Sequence, residues 1–316
     1  MRAQKTGRES RLVVYAALTG NVLIAVTKFG AAFVTGSSSM LTEGVHSLVD
    51  TLNQLLLLYG MHRSQRPPDE RHPLGYGREL YFWSFIVALL IFSGGAGVSV
   101  YEGLLHIREP HAMTYPVVNF VVLGLSFLFE GSFWFFAFRE FRSTKGAQGW
   151  WQAFRRSKDS STIVTLCEDS AALVGIVIAA AAIAVALATG NPAYDGIGSI
   201  LIGGVLAIVA VVLARETKGM LIGEPASAEL IASIRATAAS VPGICRVNDV
   251  LTVHLASDQV IAILSIDFDD DLNTVGIEQR VRRIEEEVRK KHDEVTGLFI
   301  RPQSAGRADT ANPAAG

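Results

Sequence analysis

The chain has 316 residues, of which 50% are hydrophobic and 18% charged, and its mean hydropathy is +0.34. It is long enough for two domains and too apolar for an ordinary soluble enzyme, so a membrane protein is the first expectation. A net charge of −2 offers no basic excess for a phosphate backbone, which argues against nucleic acid as a partner. The two cysteines, Cys167 and Cys245, form neither a CxxC pair nor a disulfide framework.

In chain order, the basic N-terminus MRAQKTGRESR precedes an apolar segment that is too long, and too poor in small cleavage-site residues, for a removable signal. It reads as the first of six membrane-crossing helices, placed near 12–34, 38–62, 80–106, 115–138, 161–188 and 194–215, each of the ~20 residues or more that a hydrocarbon core demands. The second and fifth are the least certain on hydropathy alone, because both carry ionisable residues. Lys and Arg gather before the first span (Arg2, Lys5, Arg8, Arg11), between the second and third (Arg63, Arg66, Arg71, Arg78), between the fourth and fifth (Arg139, Arg142, Lys145, Arg155, Arg156, Lys158) and after the sixth (Arg215, Lys218). The alternate connections, TGSSS, HIREPHAMTY and ATGNPAYD, hold Arg108 alone. The positive-inside rule then puts both termini in the cytoplasm, as an even number of spans requires, and a bacterial inner membrane is the expected location. Glycines in SGGAG (93–97) and DGIGSILIGG (195–204) are read as close helix contacts in a packed bundle.

From about residue 219 the composition becomes that of a small α+β domain. A helical stretch at 226–242, strands at 245–255 and 259–269, a charged amphipathic helix at 276–293 and a last strand at 296–302 give the order αββαβ, with helices on one face of a sheet. The expected division is a cytoplasmic tail 1–11, a six-helix transmembrane domain 12–217, a cytoplasmic domain 218–303 and a disordered tail 304–316.

Within the second span, EGVHSLVDTLNQ places Glu43, His46, Asp50, Asn53 and Gln54 on one helix face, because each residue turns about 100°. Ionisable groups persist in a bilayer chiefly where they line a wet path, pair with one another or hold an ion. His46 and Asp50, four apart, offer a nitrogen and an oxygen suited to a borderline divalent cation such as zinc. The fifth span adds TIVTLCEDSAALVG, in which Asp169 and Thr165 share a face, Glu168 is turned to its margin and Cys167 points away to packing. The competing reading of His46, Asp50 and Asp169 is an ion-pair network between helices. Lys28 is expected to snorkel to the outer interface, and Glu130 to act in a proton relay, in helix packing or on a metal.

These residues resemble the cation diffusion facilitator family of zinc-transporter type. The resemblance runs from about residue 12 to 303 and rests on HSLVD, HPLGYGRE, CEDSAALVG, NPAYDGIGSILIG and ARETKGMLIGE; the EDSAALVG form resembles a divergent branch with an animal mitochondrial member. It implies a six-helix bundle followed by a ferredoxin-like αββαβ domain, a homodimer, and efflux of a divalent cation against protons by alternating access. The cation would be Zn2+, with Mn2+, Fe2+ or Co2+ as alternatives, and no prosthetic group is expected. It also implies a tetrahedral intramembrane site with His46, Asp50 and Asp169 as ligands. Thr165 stands where most members have His or Asp, so Glu168, Glu43 or water is left to complete the shell, and the site is richer in oxygen. A second family site in the loop maps to Asp69 and His72, with Tyr76 in place of its other histidine. Asn248, Ser265 and Arg301 stand where the cytoplasmic domain of the best-known members has histidines, and His254 is displaced, so no metal is expected there. An intramembrane metalloenzyme is a weaker alternative, since the chain holds no HExxH, GxSxG elbow or Ser/Lys pair. A transport-inactive metal sensor or scaffold on the same bundle is the other.

Overall fold

A computed structural model describes residues 2–111, 113–145, 160–256 and 258–304. Arg155, Arg156 and Lys158 of the expected basic loop, and the tail beyond 304, lie outside the described residues. The chain divides into two units, residues 1–62 with 79–218, and residues 63–78 with 219–316.

The first unit is built of long helices: α1 (Arg2–Thr35), α2 (Ser38–Ser64), α3 (Glu79–Leu90), α4 (Val98–Arg108), α5 (Pro116–Lys145), α6 (Ser160–Thr189) and α7 (Ala193–Ile222). A π-helical segment, Ile91–Gly97, joins α3 to α4 without a break, so the expected third span is one rod whose glycine-rich middle is locally widened and underwound. The first helix begins ten residues earlier than expected. Five of the resulting six rods are long and apolar enough to cross a membrane; α2 is not among them, because the polar face that marks it lowers its hydropathy.

The burial pattern is inverted relative to a water-soluble bundle. Phe33, Leu128 and Ile208 are exposed, at 92%, 71% and 67%, while Lys28, Glu43, His46, Asn53 and Asn119 are buried. Apolar exteriors with polar interiors are what a hydrocarbon solvent selects. Packing between α4 and α7 is close: a Cβ on Gly103 would stand 2.5 Å from the Gly196 carbonyl oxygen, and one on Gly196 would stand 2.8 Å from that of Gly103. This is the backbone approach expected of small residues in a membrane.

The α1–α2 connection is two residues long, with Gly36 at φ +69°, where an L side chain would be strained. The start of α2 is then capped from another helix. Ser38 N–H and Ser39 N–H donate to the carboxylate of Asp195, at 2.6 and 3.3 Å, while Met40 N–H donates to Ser37 Oγ at 3.2 Å. Three of the four unpaired amides of a helix N-terminus are thereby met.

In the second unit α8 (Ala228–Ala239), β1 (Ile244–Ala256), β2 (Gln259–Phe268), α9 (Thr274–Lys291) and β3 (Val295–Pro302) follow in the expected αββαβ order. The sheet runs β1-β2-β3, antiparallel between the first two and parallel between the last two. Ser227 and Asn273 cap α8 and α9 by accepting from the amides of Leu230 and Gly276. Alternate residues of β2, Val260, Ala262, Leu264 and Ile266, pack on Ile234 of α8 and on Ile284 and Val288 of α9. The opposite face carries Leu251, Ile263 and Phe299, paired across the three strands and all exposed. The 63–78 segment belongs to this unit, and a Cβ on Gly77 would meet the Leu255 carbonyl at 2.8 Å.

Candidate metal centre

The polar residues of α2 and α6 open onto one cavity of about 290 Å³. Its walls carry Ser47, Asp50 and Gln54 from α2, Thr165, Glu168 and Asp169 from α6, Glu130 from α5 and Asn21 from α1. The 3.6-residue repeat accounts for the two main walls: Ser47, Asp50 and Gln54 are spaced by three and four, as are Thr165, Glu168 or Asp169 and Ala172. Phe133, Phe136 and Ala137 close the side of α5.

His46 is buried behind Asp50, its Nδ1 3.5 Å from Asp50 Oδ1. Neither imidazole nitrogen has a hydrogen-bond partner, and neither does Asp50 Oδ1. Buried polar atoms without a partner, such as those of His46 at 1% exposure, are costly, and atoms of this kind are what an incoming cation would satisfy. Glu168 differs, since its Oε1 accepts from Asn53 Nδ2 at 2.8 Å. Asn53 thus ties the polar face of α2 to α6. Glu43 is turned from the cavity: its Oε2 takes the Lys28 ammonium at 2.9 Å, and a Cβ on Gly175 would stand 2.5 Å from its Oε1. Cys167 packs against the apolar core.

As they stand, no three His, Cys, Asp or Glu side chains among the described residues are close enough together to hold a metal ion. The structure brings Asp50, Asp169, Thr165 and Glu168 to one cavity with His46 adjoining, 3.5 Å from Asp50, in an open arrangement.

Lys28 corrects the snorkelling expectation. It is fully buried, and its ammonium bonds both Glu43 and Glu130 at 2.9 Å. Its charge is paired with carboxylates inside the bundle, as buried ionised groups in a membrane require, and not carried out to the interface. Sequence spacing gave no sign of this, because the partners lie 15 and 102 residues away.

In the 63–78 loop both oxygens of Asp69 are engaged. Oδ1 accepts from the amides of Arg71 and His72, and Oδ2 from Tyr76 Oη at 2.6 Å. The Tyr76 hydrogen bond, more than any other cause, holds the Asp69 carboxyl below its usual pKa. The His72 ring lies against Tyr76, tilted by 37° with 4.2 Å between ring centroids, and its Nδ1 lies 3.5 Å from Asp69. The tyrosine that replaces the second family histidine therefore uses Asp69 to close the loop. In the second unit, Asn248 donates to the Gln303 carbonyl and Ser265 Oγ donates to Gln303 Oε1, both at 2.8 Å, so neutral side chains hold one another there.

Residues 14–222 match the model of the cation efflux transmembrane domain, and residues 226–301 that of the cation efflux protein cytoplasmic domain. The chain belongs to the cation efflux family. The resemblance to cation diffusion facilitators is borne out, as is the plan of a membrane bundle followed by a small α+β domain. It is a multi-pass integral membrane protein. A mouse (Mus musculus) relative named proton-coupled zinc antiporter SLC30A9, mitochondrial, is 35% identical over 259 residues, 81% of this chain and 46% of that protein. Metal tolerance protein C4 of Arabidopsis thaliana is 36% identical over 226 residues, 70% of this chain and 49% of that protein. The chain thus spans about half the length of the curated relatives it matches.

Proposed function

We propose that this cation efflux protein exports a divalent metal ion, Zn2+ ahead of Mn2+, Fe2+ or Co2+, in exchange for protons. His46, Asp50 and Asp169 are the primary ligands, with Thr165 and Glu168 the nearest candidates for the fourth position. The observation that carries this reading is the shared cavity: oxygen donors from α2 and α6 face one space, with an unpartnered imidazole beside them. The names of the mouse and plant relatives, a zinc antiporter and a metal tolerance protein, favour the same cargo.

The chemistry supplies the coupling. A metal needs neutral imidazole and ionised carboxylate, so binding displaces protons from these groups, and protons arriving from the far side displace the metal. Alternating access follows if the cavity reaches the two sides in turn. Its lining, Gln54 of α2 with Phe136 and Ala137 of α5, lies toward the helix ends that the positive-inside rule assigns to the cytoplasm, which is the loading side for export. Drawing Asp50 and Asp169 together around the ion would close it. A bacterial inner membrane fits the same charge bias.

A homodimer is part of the proposal. The exposed row Leu251, Ile263 and Phe299 leaves an apolar sheet face uncovered, and a second copy of this chain would bury it. Asp69 and His72 are given a loop-forming role ahead of metal binding.

The test is zinc uptake by vesicles holding the purified protein, with and without a pH gradient. Wild-type protein should show zinc-dependent proton flux, and Asp50→Ala should lose it while keeping its elution profile. Undiminished flux in the variant would remove Asp50 from the ligand set.

A further inference from the structure

Lys28 is the one buried Lys or Arg among the described residues. Its two carboxylate partners each retain a buried oxygen without a partner, Glu43 Oε1 and Glu130 Oε2. Position along the helices places this trio. Helices α1 and α2 are antiparallel about a two-residue turn, so the two turns from Asn21 to Lys28 and the two turns from Asp50 back to Glu43 run the same way. Asn21, Ile24, Ser47 and Asp50 line the cavity. Lys28 and Glu43 therefore lie beyond it, toward the α1–α2 connection, and Glu130 belongs to both places, lining the cavity and accepting from Lys28.

A carboxylate that neutralises an ammonium is a weaker ligand for a second cation, so Lys28 and a divalent ion compete for Glu130. We propose that Lys28 is a tethered competitor for the transported ion. It holds Glu43 and Glu130 when the cavity carries no divalent cation and cedes Glu130 to one that enters. Glu43 and Glu130 then form a second carboxylate station, between the His46, Asp50 and Asp169 group and the α1–α2 end of the bundle. The inference rests on the transport reading and deepens it. A pathway must bind its ion well enough to admit it and weakly enough to release it. An ammonium on a flexible four-carbon stem is a point charge without coordination geometry, so it can return to the carboxylates and hasten departure.

Zinc binding to the purified full-length protein, followed by calorimetry, tests this in wild type, Lys28→Met, Lys28→Arg and the double variant Lys28→Met with Glu43→Gln. The double variant replaces the pair with neutral side chains and leaves no Glu43 charge stranded, which protects folding. Removing the competitor should tighten binding roughly tenfold, the scale of a unit charge acting across one helix width at an effective dielectric near 20. Lys28→Arg keeps the competing charge and should bind zinc no more tightly than wild type. In vesicles the half-saturating zinc concentration of Lys28→Met should fall together with its maximal rate, a split that a purely structural lysine would not produce. Unchanged or weaker affinity in both Met variants, or an Arg variant that behaves as Met, overturns the proposal. Wild-type protein that neither binds nor moves zinc, manganese, iron or cobalt overturns the transport reading beneath it.

Discussion

Asp195→Ala tests how α2 is held in register. Asp195 is fully buried in the first turn of α7 and receives the amides of Ser38 and Ser39 and the hydroxyl of Ser37. Alanine would leave two amides in an apolar interior, at ~1–3 kcal/mol each, and would remove a carboxylate from a helix N-terminus, at ~0.3–2 kcal/mol. A loss of about 4 kcal/mol follows, roughly 10 °C in melting temperature for a unit of this size. Asparagine should recover little of it, since an amide presents one acceptor where two oxygens are used. Thermal unfolding of the purified protein measures both variants, and zinc calorimetry on the same samples should show weakened binding, because Ser38 and Asp50 ride on one rigid helix. If Asp195→Ala melts within about 1 kcal/mol of wild type, reckoned by that conversion, the carboxylate is not what seats α2.

Thr165 lies in the cavity four residues before Asp169, so Thr165→His should add an imidazole ligand and tighten zinc roughly tenfold or more; calorimetry showing no gain would place Thr165 outside the coordination shell. In the 63–78 loop, Asp69 is held below its ordinary pKa chiefly by Tyr76, so its ionised form favours the folded loop. That contribution is present above about pH 4, the unfolded value, and is lost as pH falls through the lower folded value. Tyr76→Phe should move the Asp69 titration upward, as read by carbon-detected NMR of the carboxyl, and an unmoved titration would deny the hydrogen bond its role.

The parts legible in the sequence are those set by one helix or strand at a time. Apolar runs located the rods, alternation located β1 and β2, and the hundred-degree step put Glu43, His46 and Asp50 on one face of α2 and Thr165 beside Asp169 on α6. The pairings between elements were not legible, because they depend on how each rod is rotated against its neighbours. Lys28 meets Glu130 across 102 residues, Asn53 meets Glu168 across 115 and Ser38 meets Asp195 across 157. Glu43 shows the consequence: its periodicity marks it as a neighbour of His46, yet a lysine on α1 and the bare backbone at Gly175 decide where its carboxylate goes. The π segment at Ile91–Gly97 was hidden for a related reason, since SGGAG reads equally well as an α-helical contact.

The rod that fails the apolar criterion, α2, is the one whose removal would empty the site. Its burial rests on a network in which several polar groups are answered from other helices: one oxygen of Glu43 by Lys28, the Asn53 amide nitrogen by Glu168, the N-terminal amides of Ser38 and Ser39 by Asp195. Buried atoms left unanswered on α2 include both nitrogens of His46 and one oxygen of Asp50, the pair that the motif HSLVD singles out, together with Thr42 Oγ1, Glu43 Oε1 and Asn53 Oδ1. Of these atoms only the His46 and Asp50 set joins an imidazole with both nitrogens free to a carboxylate oxygen beside the cavity, and that donor pair is the one on α2 whose chemistry suits a divalent cation under the proposed function.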